Sequence, residues 1–259
     1  MNLKELLDDP DYTMAEVALL VGRDPGMAAR FLRAVNNPLD RRVAKIETVS
    51  HAVSLLGIRQ VHDIVLSASV AEAFNGIKTE VMDMRKFWQR SFYCAVMTKR
   101  LALTCGLMES DRLFVIGLLH DIGHLFMYMS IPKESQQVIM EARNGERPLF
   151  QVERDMLGFD YAKLGAYVMR HWDLPKSFQA ATCFHPEPGI VNKFVMETAL
   201  LHLGVLLVMS DLEEGEFGQG VFTVSPSVWQ TTGLNEEQCL ELRQRAAGEY
   251  GEVASSLSF

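Results

Sequence analysis

Residues 113–129, LFVIGLLHDIGHLFMYM, set a His-Asp pair, His120 and Asp121, in the middle of an otherwise apolar run. A run of that length and spacing predicts one helix, opened by Ser110 or Asp111. A carboxylate in so apolar a helix must find a partner, because an unpaired buried charge is costly. A divalent cation is one such partner, since imidazole nitrogen and carboxylate oxygen suit it together. On a continuous helix His120 and His124 lie one turn apart and Asp121 three residues before His124, so all three can face one side. Hydrogen bonds to neighbouring helices, fixing their register, would satisfy the pair equally well.

Outward from this stretch, helix punctuation recurs along the whole chain. Thr13 with Glu16 forms a capping box, and Asp24-Pro25 opens a helix to about Val35. Thr48 caps Val49 to Leu56, and Ile58 to Phe74 reads as the next helix before Asn75-Gly76. Met84 to Leu103 follows, closed by Gly106, and Pro132, Pro148, Asp160 and Pro175 each begin a further segment. Asn235 with Gln238 caps a last helix to about Val253. Strand signals are nearly absent, VFTV at 221–224 being the best, so the fold class is all-α. Two helical lobes are expected, 1–76 and 84–210, then an acidic extension, 211–259, in which 211–234 is irregular.

Composition narrows the function classes. The chain has 259 residues, 48% of them hydrophobic and 22% charged, which describes a globular protein with a sizeable core. Cys94, Cys105, Cys183 and Cys239 form no CxxC pair and read as reduced thiols rather than a disulfide frame or zinc knuckle. The N-terminal MNLKELLDDPDYT is acidic and unlike a signal peptide, and the apolar run Thr198 to Met209 is too short to span a bilayer. A cytoplasmic protein without a membrane partner is therefore expected. Net charge is −8, yet residues 211–259 carry nine acidic and two basic side chains, leaving 24 acidic against 23 basic before them. A nearly neutral body makes nucleic acid an unlikely partner. The one basic cluster, Arg30, Arg33, Arg41, Arg42 and Lys45, reads as a solvated face.

LLHDIGHL at 118–125 resembles the signature of the HD superfamily of metal-dependent phosphohydrolases, whose ligands follow an H…HD…D order. RDPGMAARFLRAVNNP (residues 23–38) and IETVSHAVSLLGIRQVHDIVLSAS (residues 46–69) are similar to segments of one branch, the HDOD (HD-related output domain) family. Phe87-Trp88, Gly165, and Trp172 with Leu174-Pro175 match further on, so the resemblance covers about residues 3–210. It implies that the second lobe is an HD-domain-like helical bundle. Residue by residue, it also implies a degenerate ligand set. The first ligand His belongs to a W-x-H-S pattern, and here Trp88-Gln89-Arg90-Ser91 puts Arg90 in its place. The last ligand Asp follows H-L-A, and His202-Leu203-Gly204-Val205 puts Val205 there. Relatives' G-x-D-H reads Gly158-Phe159-Asp160-Tyr161, and their paired His-His reads Phe184-His185. His120, Asp121 and His185 are the ligands that would remain for a divalent metal.

Arginine does not ligate a metal, and a phosphate-ester hydrolase needs charge-neutralising carboxylates as well as a bound water. The expectation is therefore a vestigial site of His120, Asp121, His124, Arg90 and His185, with Arg90 paired to Asp121, no catalytic residue and no cofactor. Function is expected to be that of a non-catalytic signalling module, binding a protein partner or a small effector. Input and output would come from another chain, since no receiver or cyclic-dinucleotide domain is recognisable in these 259 residues. The alternative is an active HD-type phosphohydrolase for nucleotides or cyclic dinucleotides; a third reading is a nucleic-acid-associated regulator using the arginine cluster.

Overall fold

The structure, a computed structural model, describes residues 48–56, 81–108, 110–145, 147–209 and 224–256, together with Thr13. The chain divides into two compact units, Met1–Gly76 and Ile77–Ser258. In the first, the described helix is α1, Val49–Leu56, whose first turn is closed by His51 N donating to Thr48 Oγ1 at 3.2 Å. The helices expected at Pro25 to Val35 and Ile58 to Phe74, and the arginine cluster, lie outside the described residues.

The second unit is helical, and no strand occurs among the described residues. Asp83 caps α2, Met84–Thr104, accepting from Arg85 N at 2.8 Å. Then come α3, Ser110–Leu119; α4, Ile122–Ser130; α5, Pro132–Asn144; and α6, Leu149–Leu157, ended by left-handed Gly158. Asp160 starts α7, Tyr161–His171, by accepting from Lys163 N at 2.7 Å. The chain continues through α8, Lys176–Phe184, a 3-10 turn at Pro188–Ile190, α9, Val195–Met209, α10, Pro226–Thr232, and α11, Glu236–Ser256.

Two differences from the sequence reading matter. The run 113–129 is not one helix: its ladder breaks at His120-Asp121, between α3 and α4. The Gly117 carbonyl, which would accept the next backbone N–H of a continuous helix, takes His120 Nδ1 at 2.7 Å instead. Asp121 sits at φ −97°, ψ 8°, and His124 N turns back to its carbonyl at 3.0 Å, a tighter 3-10 closure. Also, 211–234 is not irregular throughout, because Pro226–Thr232 forms α10, opened by a proline and closed by left-handed Gly233.

Helix α9 is apolar almost all round and packs on α2, α3, α8, α10 and α11, as expected of a helix buried on most of its surface. Helix α11, held at its start by reciprocal Asn235 and Gln238 caps of 2.9 and 3.0 Å, packs on α2 and α9. Residues Arg112–Ser130 are long and apolar enough to cross a membrane, but 78% of that window is buried inside the protein, which accounts for its apolarity as core. One crossing positions the site. Where α4 meets α7, a Cβ at Gly123 would collide with the Tyr161 carbonyl and lie 2.8 Å from Gly165 N. Two facing glycines thus bring the start of α7 against α4.

Candidate functional site

Four helices meet around a buried row of alternating charge. Arg90 of α2 donates from Nη2 to Asp121 Oδ2 at 2.6 Å. His124 of α4 donates from Nδ1 to the other oxygen of Asp121, and from Nε2 to Glu153 Oε1 of α6 at 2.8 Å. Glu153 Oε2 accepts the backbone N–H of Tyr161 at 2.9 Å, closing the row at the start of α7. Both imidazole nitrogens of His124 face carboxylate oxygens, so both carry protons and the ring is a cation. Two cations and two carboxylates then cancel.

The electrostatics agree with the geometry. Burial opposes charge on His124, but Asp121 and Glu153 outweigh it and raise its pKa to about 9. Burial would raise the Asp121 carboxyl; His124 and Arg90 reverse this and hold it far below the ordinary carboxylate range. The same burial works against the Arg90 guanidinium, and Asp121 more than offsets it. Aromatic rings complete the enclosure. Tyr161 stacks on His124 with centroids 4.0 Å apart and planes 11° from parallel, and Tyr128 stacks at 5.2 Å, which suits a cationic ring.

Beside the row lie three histidines of another kind. His120 donates from Nδ1 to Gly117 O, as above, and His185 donates from Nδ1 to Thr182 O at 2.7 Å. His202 donates from Nδ1 to His185 O at 2.6 Å. Nδ1 therefore carries a proton in each, and in the uncharged ring the lone pair is on Nε2. Burial keeps all three uncharged, pressing His185 down to about 3 and lowering His120 and His202. The Tyr161 hydroxyl donates to His185 Nε2 at 2.8 Å. His120 and His202 line a cavity of about 90 Å³ that also reaches Arg90, Asp121 and Val205. Cys94 borders it too, but burial pushes its thiol up to about 12, which leaves no thiolate to act as a nucleophile.

Protein donors already engage groups that a divalent cation would use. Both oxygens of Asp121 are held by cationic donors, and His185 Nε2, the lone pair a metal would use, receives the Tyr161 hydroxyl. Among the described residues no three His, Cys, Asp or Glu side chains are grouped to hold a metal ion. The structure brings Arg90, Asp121 and His124 into one network and sets His120 and His185 beside each other, ring centroids 5.6 Å apart. Sequence reasoning missed Glu153. It follows Val152 on an amphipathic helix, and nothing in its neighbours marks it as 1% exposed. Tyr161 was visible only as the residue replacing a relative's histidine; its hydroxyl and ring now bridge His185 and His124.

A family model for the HDOD domain matches residues 1–188. The chain belongs to the HDOD family. An HDOD domain protein of unknown function from Geobacter sulfurreducens shares the fold at TM-score 0.80 and 22% identity, covering 98% of this chain and 90% of its own. A Shewanella amazonensis SB2B protein, provisionally named a phosphohydrolase, aligns at TM-score 0.73 and 22% identity over 98% and 91%. A provisionally named signal transduction protein from Marinobacter aquaeolei VT8 aligns at TM-score 0.71 and 21% identity over 97% of this chain and 56% of its own. An uncharacterized protein of Treponema pallidum (strain Nichols) is 19% identical over 187 residues, 71% of this chain. The HDOD chain spans only 36% of that relative's length. At such identities the shared feature is the fold.

Proposed function

We propose that this HDOD chain is a non-catalytic regulatory module, acting in the cytoplasm by binding a protein partner or a small effector. The observation that carries the reading is the Arg90–Asp121 pair: a guanidinium stands 2.6 Å from the carboxylate that an HD hydrolase would give to its metal. With His124 on the other oxygen, both Asp121 oxygens already face protein cations, and the charge of Arg90 would repel a metal ion. The signalling role draws on the Marinobacter relative's name; it is analogy of fold.

The competing reading, an HD-type hydrolase for nucleotides or cyclic dinucleotides, draws on the Shewanella relative's name. Elemental analysis after dialysis, with phosphatase and phosphodiesterase assays in manganese, magnesium and zinc, separates the two. The regulatory reading expects substoichiometric metal and no turnover above a His120→Ala control. One tightly held metal per chain with turnover abolished by His120→Ala overturns it.

A further inference from the structure

His202 Nε2 is a buried polar atom with no hydrogen-bond partner, in a side chain only 7% exposed, and it borders the cavity. Its chemistry there is fixed. Nδ1 is spent on the His185 carbonyl, an acceptor only, so Nε2 carries a lone pair and must accept. His120, on the same cavity, has its Nδ1 spent on Gly117 O, so its Nε2 is also an acceptor. A proton added to either would bury a further cation beside Arg90 and His124, whose carboxylates are already paired. The cavity is otherwise lined largely by apolar side chains, among them Phe150, Pro186, Val205, Leu206 and Met209, and by Arg90 and Asp121, which are paired with each other. Two acceptors that cannot pair with each other, in an apolar chamber, call for a ligand that donates.

We infer that this cavity is a binding site for a small uncharged molecule presenting N–H donors, such as a carboxamide on a compact apolar body, held by His202 Nε2 and His120 Nε2. The inference deepens the effector-binding reading above and rests on it. It runs opposite to the chemistry of an HD hydrolase, which needs oxygen acceptors on the ligand. A space of about 90 Å³ has room for a few waters or one compact organic group. An amide filling it displaces that water and satisfies the orphan acceptor, whereas the isosteric carboxylate places acceptor against acceptor.

The test uses the full chain labelled with ¹⁵N-histidine and titrated with isobutyramide, isobutyrate and inorganic phosphate. The proposal expects isobutyramide to move the His202 and His120 Nε2 resonances toward hydrogen-bonded values, saturating at roughly millimolar concentration. Isobutyrate should bind about tenfold more weakly or not at all. His202→Phe should abolish the response, and His202→Gln, which keeps a donor for the His185 carbonyl and an acceptor for the ligand, should restore part of it. If His202→Phe does not fold, Val205→Phe fills the chamber and should abolish binding with both imidazoles intact. No shift with isobutyramide, equal or tighter binding of isobutyrate or phosphate, or binding that survives Val205→Phe each overturns the proposal. Such failures leave the non-catalytic reading standing, while a stoichiometric metal with turnover overturns that reading whatever isobutyramide does.

Discussion

Removing Asp121 should be the most damaging single change to the charge row, and worse than removing Arg90. In Arg90→Met, Asp121 keeps its contact with the His124 cation and loses one charge-assisted hydrogen bond of 2.6 Å, at a cost of about 1.5–3 kcal/mol. In Asp121→Asn, two cations are left flanking a neutral amide with Glu153 as the only carboxylate of the row. Stranding buried charge in that way costs about 3–5 kcal/mol. The double variant removes the Arg90 charge along with its partner, so its loss should fall short of the sum of the singles by about 1–3 kcal/mol. Trp88, Trp172 and Trp229 are the chain's three tryptophans and all belong to the second unit. Urea unfolding followed by tryptophan fluorescence therefore reads that unit alone. Strictly additive losses, or Arg90→Met costing more than Asp121→Asn, would refute the picture of a coupled row.

Stability should peak near pH 6.5, the ordinary histidine pKa. His124, raised to about 9, contributes stability that is full below pH 6.5 and lost as pH climbs through 9. His185, lowered to about 3, does the reverse, as do His120 and His202: their contribution is full above 6.5 and lost on acidification. Urea midpoints that rise steadily from pH 6.5 to 9 would contradict this. Gly123→Ala pushes a methyl group into the α7 backbone and should cost about 1–3 kcal/mol or more, seen as a lowered melting temperature; an unchanged one would mean that α4 and α7 do not cross so closely. Tyr161→Phe alone should cost about 1 kcal/mol by leaving His185 Nε2 unpaired. Joined to Arg90→His it should make the protein stabilisable by manganese in thermal melts, which the unmutated chain should not be.

Much of the helical order was legible because it is written in local chemistry. Asn235 and Gln238 cap α11 across three residues, and Asp160 does the same for α7. The Arg90–Asp121 contact joins residues 31 apart in sequence; no local pattern reveals it, and only the motif placed Arg90 where a ligand would be. The break at His120-Asp121 was hidden because apolar periodicity continues straight across it, and the imidazole that takes the Gly117 carbonyl leaves no mark on that pattern. Glu153 was unreadable for the opposite reason. Its partner His124 is 29 residues away and stood only as a member of the vestigial site, so its need for a second carboxylate was masked. Pro226–Thr232 was lost among glycines that signal irregularity more loudly than two turns signal a helix.

The alternating row also governs what the protein presents at a distance. Two positive and two negative charges in line, each within hydrogen-bonding reach of the next, form a multipole whose field dies away far faster than that of a lone charge. A centre that gathers phosphate esters from solution keeps an unbalanced positive potential at its mouth, which speeds encounter with anions. Here that potential is spent internally, between Arg90, Asp121, His124 and Glu153. The row therefore adds little that would draw a charged molecule into the neighbouring cavity. On the proposal of an uncharged ligand, recognition is by shape and hydrogen bonds at contact, and binding should change little with ionic strength.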